Sequence, residues 1–162
     1  MSLCLQALQP LLPTHSCYGF TSSEPELDAW LKRRAYANQL SVASRTFVVV
    51  DEQQTVVGYY ALAAGALSHQ VATPEVRRNM PDPVPVIVLA RLAVDQRAQG
   101  IKLGASLLQD AVNRCALMSR HAGIRALLVH ALHDRAKQFY EHYGFHASPI
   151  HPLTLLLRLQ QN

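Results

Sequence analysis

Residues 84–108, VPVIVLARLAVDQRAQGIKLGASLL, decide the fold. Val86, Ile87, Val88 and Leu89 lead into Leu92, Ala93 and Val94, a near-continuous apolar run of strand length, the pattern of a strand buried on both faces. Asp95 ends it. Gly100 and Gly104 flank the start of the next periodic segment, in which Leu103, Leu107, Leu108, Ala111, Val112 and Cys115 share one helical face. A strand that hands over to a helix through such a turn points several backbone N–H groups, and the positive end of the helix dipole, at one spot. That spot suits an anion, most naturally a phosphate or pyrophosphate. Two glycines alone do not separate this from any other strand–turn–helix.

Working outward, residues 3–8 read as a first strand stopped by Pro10 and Pro13. Thr21, Ser22 and Ser23 precede Glu24, Pro25 and Glu26, a helix start with a hydroxyl cap, an acidic first turn and an early proline. This helix is expected to run to about Ser44, with Leu27, Leu31 and Ala35 as its apolar stripe and Trp30 beside them. RTFVVV (45–50) and TVVGYYALAA (55–64) read as two strands of a hairpin around the polar DEQQ. Thr73 and Pro74 can start a short helix carrying Arg77 and Arg78, broken by NMPDP before the central strand. After the long helix, RALLVHA (125–131) is a short buried strand. Asp134 can cap a helix that ends at Gly144, and LTLLLRL (153–159) is a last strand. The order is strand, helix, three strands, helix, strand, helix, strand. The fold class is therefore α/β, with a mixed sheet covered by helices.

The chain has 162 residues, 49% hydrophobic and 16% charged, which fits one globular domain over residues 1–162. No apolar run reaches the length of a membrane span. The first residues lack a basic start and a clear cleavage site, so no signal peptide is expected and the cytoplasm is the expected location. Cys4, Cys17 and Cys115 show no metal or disulfide spacing, which favours reduced thiols. Eight histidines are scattered without Cys or Glu support, so no metal site is expected. The net charge of +4 permits an acidic partner such as nucleic acid.

The turn and a later segment together carry a resemblance. RLAVD (91–95), the QGIKLG turn (99–104) and FYEHYGF (139–145) resemble the GNAT acetyltransferases, whose turn is Gln or Arg, two residues, Gly, one residue, Gly or Ala, and whose later signature is F-Y-x-x-x-G-F. Both occur here in order. LKRRAYANQLSVASRTFVVV, RRNMPDPVPVIVLARLAVD, LLVHALHDRAKQFYEHYGF and SPIHPLTLLL are similar to one branch, the tRNA-acetylating GNAT toxins of toxin–antitoxin pairs. The resemblance implies a GNAT fold: a mixed, mostly antiparallel central sheet flanked by helices, with strands splayed at the acetyl-CoA site. It also implies acetyl-CoA as donor, the α-amino group of aminoacyl-tRNA as acceptor, blocked translation, a homodimer and a ribbon-helix-helix antitoxin.

By the same resemblance, Leu92, Ala93 and Val94 offer backbone groups to the pantetheine arm and thioester. The N–H groups over Gln99, Gly100, Ile101, Lys102, Leu103, Gly104, Ala105 and Ser106 hold the pyrophosphate. Tyr140 matches the tyrosine that protonates the coenzyme A thiolate, although its spacing alone describes a packed core tyrosine. Lys102 stands where the family has a glycine. Its side chain would either crowd the pyrophosphate, if the backbone there needs a glycine-only conformation, or pair with a phosphate.

Residues 85–94 carry no Glu or Asp to serve as a general base. A lysine acceptor, with a pKa of roughly 10.4, would need one; an α-amine near 8, lowered further by an adjacent ester, needs little help. Lys32, Arg33, Arg34, Arg45, Arg77, Arg78 and Arg91 are the candidates for acceptor-stem phosphates. For Lys32–Arg34 a solvated helix face is the alternative, and for Arg91 a strand-edge residue paired to an acid. The alternatives for the whole chain are a GNAT enzyme acting on a small amine or a protein N-terminus, and a degenerate, non-catalytic GNAT binding module.

Overall fold

The computed structural model describes residues 4–159. The seven strands, β1 (Gln9–Pro10), β2 (Arg45–Val50), β3 (Val56–Leu67), β4 (Val84–Val94), β5 (Ala126–His130), β6 (His146–Ala147) and β7 (Thr154–Arg158), form one sheet in the order β1-β2-β3-β4-β5-β7-β6. Neighbours pair antiparallel at β1/β2, β2/β3, β5/β7 and β6/β7, while β4/β5 is parallel. The chain divides into two compact units. One comprises the residues up to Ala63 with Ala90–Ala111; the other comprises Ala64–Leu89 and the residues from Val112 onward.

In the first unit, helix α1 (Pro25–Trp30), a π-helical turn (Leu31–Ala35) and helix α2 (Tyr36–Ser41) follow one another without a break. Leu27, Leu31 and Ala35 keep the expected stripe and pack with Phe20, Val48, Val50, Val56, Tyr59 and Ala93. Each buried Leu or Val side chain contributes about 1.5–3 kcal/mol relative to exposure. Leu31 and Ala35 are buried on either side of three exposed residues, Lys32, Arg33 and Arg34, so the wider π turn presents three adjacent cations to solvent. The helix ends three residues earlier than expected, where Val42 turns left-handed at φ +63°.

Its start also differs from the sequence expectation. Glu24 occupies the cap position without a side-chain cap bond. Ser22 works one step back: its Oγ accepts from the Glu24 amide at 3.0 Å and donates to Asp28 Oδ1 at 2.6 Å. The buried Asp28 carboxylate also accepts from the Ser22 amide.

The hairpin is as expected, with Asp51 Oδ1 accepting from the Gln53 and Thr55 amides in its loop, though β3 runs on to Leu67. The first strand is not at 3–8. Residue 3 lies outside the described residues, and β1 is only Gln9–Pro10. Pro10 belongs to the strand instead of stopping it, because β1 is an edge strand and needs no second ladder donor there.

Helix α4 (Leu103–Met118) buries Leu103, Leu107, Leu108, Ala111 and Cys115, as its spacing indicates. Within the first unit Gly58 admits Leu103 and Leu107: a Cβ there would lie 3.0 Å from Leu103 Cδ2 and 3.3 Å from Leu107 Cδ1. In the second unit, Leu67, Val76, Val84, Val86, Leu128 and Leu156 form the core. The short helix α3 (Pro74–Arg77) is capped by Thr73, whose Oγ1 accepts from the Val76 amide. Helix α5 (Asp134–His142) is capped by His133, not by Asp134: His133 Nδ1 accepts from the Ala136 amide at 3.2 Å. Asp134 lies inside the first turn, where its charge favours the positive end of the helix.

Candidate active site

The β4/β5 register ends at Leu89↔Val129, and β4 runs on to Val94. Ala93 turns its side chain into the first unit's core, so it offers only backbone, while Leu92 and Val94 are half-buried. Asp95 then closes a 3-10 turn (Gln96–Ala98). Its carboxylate, 2% exposed, accepts from the Arg97 amide and Nε, both at 2.9 Å, and from the Thr21 amide at 2.8 Å. Burial alone would raise its pKa; the bonds from the Arg97 guanidinium and the two amides outweigh burial and hold it below the usual carboxylate range. Gln99 folds back, and its Nε2 donates to the Val94 carbonyl at 3.2 Å. That carbonyl, expected to be open to a pantetheine arm, already has a donor.

From there the backbone opens. Gly100 has φ +87° and Lys102 φ +61°. The amides from Gly100 to Ala105 donate to no described residue, and the first bond back comes from the Ser106 amide to the Lys102 carbonyl at 3.2 Å. Successive amides around left-handed residues form a concave anion receptor, and those of Leu103, Gly104 and Ala105 are the orphan first-turn donors of α4. Leu103 is buried by its side chain, whereas Ile101, Lys102 and Ser106 are exposed. Lys102 therefore takes the conformation that glycine would take, and its side chain lies in solvent.

In the second unit Tyr140 is buried on α5. Its ring meets Phe139 and Phe145 edge-on at 5.2 and 5.5 Å, and its hydroxyl bonds to no described residue. Burial pushes its pKa above the ordinary phenol value. Tyr143 is exposed and packs edge-on against Phe139. Burial pushes the Cys115 thiol up to about 12, too high for a nucleophile at neutral pH. Among the described residues no three His, Cys, Asp or Glu side chains gather to hold a metal ion.

Residues 43–147 match the acetyltransferase (GNAT) domain family. A tRNA-acetylating toxin of Mycobacterium tuberculosis is 52% identical over 141 residues, 87% of this chain and 84% of that protein. The chain belongs to the GNAT acetyltransferases. Two solved structures share its fold. AtaT complexed with acetyl-methionyl-tRNAfMet has a TM-score of 0.87 at 24% identity, over 95% of this chain and 94% of that one. A tyrosine-to-phenylalanine mutant of the AtaT toxin, bound to the C-terminus of the antitoxin AtaR and acetyl-CoA, has a TM-score of 0.81 at 23% identity, over 96% and 93%.

In this GNAT chain the basic candidates fall into two groups. Lys32, Arg33, Arg34, Arg45 and Arg91 belong to the first unit, Arg77 and Arg78 to the second. Arg45 is exposed and its Nη1 donates to the Gln39 carbonyl at 3.3 Å. Arg91 pairs with no acid among the described residues. Its guanidinium lies 5.3 Å from the Trp30 ring centroid, its Nη1 donates to the Ala90 carbonyl, and its buried Nε has no partner. Trp30 in turn stacks on Tyr59 at 6.0 Å and 11°. Arg77 Nη1 donates to the Ala72 carbonyl at 3.3 Å, while Arg78 is exposed. Sequence reasoning assigned no role to Trp30, to the Asp95–Arg97–Thr21 bonds or to the His133 cap. The only local hint was an Asp set two residues before an Arg at a strand end.

Proposed function

We propose that this acetyltransferase is the toxin of a type II toxin–antitoxin pair, and that it moves acetyl from acetyl-CoA to the α-amino group of aminoacyl-tRNA and so blocks translation. The observation that carries the enzymatic part is the run of six amides, from Gly100 to Ala105 in the first turn of α4, that donate to no described residue. That donor set fits a pyrophosphate and needs no side chain, which is why Lys102 is tolerated. The 52% identity to a tRNA-acetylating toxin supports the acceptor. A homodimer, a ribbon-helix-helix antitoxin, a cytoplasmic location and a single domain over residues 1–162 belong to the same proposal. No helix of the described residues is long and apolar enough to cross a membrane.

Acetyl-CoA supplies an activated thioester. The α-amine nitrogen attacks its carbonyl carbon, the C–S bond breaks, the sulfur takes a proton, and the amine gives one up to water. Lys32, Arg33, Arg34, Arg45, Arg77, Arg78 and Arg91 would hold RNA phosphates on the acceptor side. Tyr140 is the donor to sulfur. The buried phenol holds its proton before the reaction, gives it to the departing thiolate sulfur and regains one from water. The test is labelled acetyl transfer to charged and to deacylated tRNA. Label on the charged form alone is expected, and Tyr140→Phe should lower kcat by about 10²–10⁴ with the KM for tRNA unchanged. Label on deacylated tRNA, or full activity in Tyr140→Phe, would overturn the respective part.

A further inference from the structure

The second unit contains a cavity of about 270 Å³ that the acetyl-transfer residues do not use. It lies where α4 has ended, sixteen helical residues further along the chain than the cofactor turn. Met80, Ala122, Ile124 and Leu159 give it an apolar wall, and Arg125 and Arg158 give it charge. Arg125 is held rigidly. Its Nε donates to the Val76 carbonyl at 3.1 Å, and its Nη2 donates to the carbonyls of Glu75 at 3.1 Å and Arg78 at 3.2 Å. Its Nη1 has no partner, and Arg158 is exposed with none among the described residues.

Positive charge predominates here: two arginines and one acid, Glu75, act on Arg125. Among the described residues no carboxylate lies within ion-pair distance of Arg125, Arg158 or Arg78. Burial first, then Arg158 and Arg78, work against the Arg125 charge, with Glu75 opposing them. Nor does the end of α4 offset them with free carbonyls. The Cys115 and Ala116 carbonyls accept from the Ser119 amide and hydroxyl, the Leu117 carbonyl from the Arg120 amide, and the Met118 carbonyl from the His121 and Ala122 amides. Two arginines line one cavity, one of them fixed in orientation with its Nη1 unbonded to any described residue, a set that matches the charge and fork geometry of a phosphate group.

We infer that this cavity is a second phosphate site, in which Arg158 and the Nη1 edge of Arg125 bind a phosphate and the apolar wall takes the nucleoside attached to it. Its volume, just below the range of drug-sized pockets, suits one nucleotide. The phosphate comes either from a free mononucleotide or from an RNA backbone, and the inference does not depend on the acetyl-transfer reading.

The experiment is an amide NMR titration of the full chain with adenosine monophosphate, in the presence of coenzyme A so that the cofactor turn is filled. Saturable shifts are expected at Gly123, Ile124 and Arg125. Arg158→Gln should weaken the affinity about tenfold, with Arg158→Lys recovering part of it. Calorimetry should show coenzyme A binding unchanged in both variants. A second arm reads the KM for charged tRNA: a rise of about tenfold in Arg158→Gln identifies an RNA phosphate, and an unchanged KM beside weakened nucleotide binding identifies a free nucleotide. Shifts that avoid these residues, or an affinity indifferent to Arg158→Gln, would overturn the inference.

Discussion

Lys102 adopts φ +61°, a region that costs a non-glycine residue about 1–2 kcal/mol. The turn retains the glycine geometry because the receptor is made of amides, and amides are the same in every residue. Asp95 anchors the turn just ahead of those amides, by accepting from the Thr21 and Arg97 amides. Its folded pKa lies below the ordinary 3.8, so the stability it contributes is fully present above about pH 4 and is lost as pH falls through that lower folded value. Asp95→Asn is expected to cost about 1–3 kcal/mol at pH 7, from loosened bonds to Thr21 and Arg97. In urea melts run at successive pH values, the gap to the native protein should close as pH falls through that folded value. A gap that stays constant down to pH 2 would show that the charge of Asp95 is not what matters.

Among the elements, the α1–α2 helix ends in the least comfortable way. Val42 is an exposed β-branched residue at a left-handed position that usually belongs to Gly or Asn. Val42→Asn removes strain without emptying any core space and is expected to stabilise the protein by about 0.5–1 kcal/mol, read as a higher midpoint in urea. In β3, Gly65 has the opposite character. A Cβ there would sit 2.7 Å from Val88 Cγ2, and valine is stiff at χ1, so Gly65→Ala is expected to cost about 1–3 kcal/mol.

For the molecule as a whole, the net charge of +4 makes RNA binding a salt-dependent property. The affinity for charged tRNA should fall steeply between low and physiological salt, and replacing Lys32, Arg33 and Arg34 together by Gln should reduce the log–log slope by about two to three. A slope that does not change would place the RNA elsewhere. Much of this architecture was legible in the chain. The β4 apolar run and the α4 face follow from spacing, because burial imposes those periods directly. The turn was legible as a motif, but its left-handed lysine was not, since local preference argues against it. The π turn and the His133 cap were hidden for a similar reason: both depend on how the helix meets its surroundings. The Asp95 lock was invisible because its partner Thr21 lies 74 residues away. Tyr140 was chosen by motif against its own apolar spacing, and the structure shows a buried ring whose hydroxyl bonds to no described residue.

The hydrogen bond from the Thr21 amide to Asp95 has a practical corollary. The span matched to the GNAT domain starts at residue 43, so an expression clone trimmed to it would retain every amide of the diphosphate receptor and discard the peg beneath it.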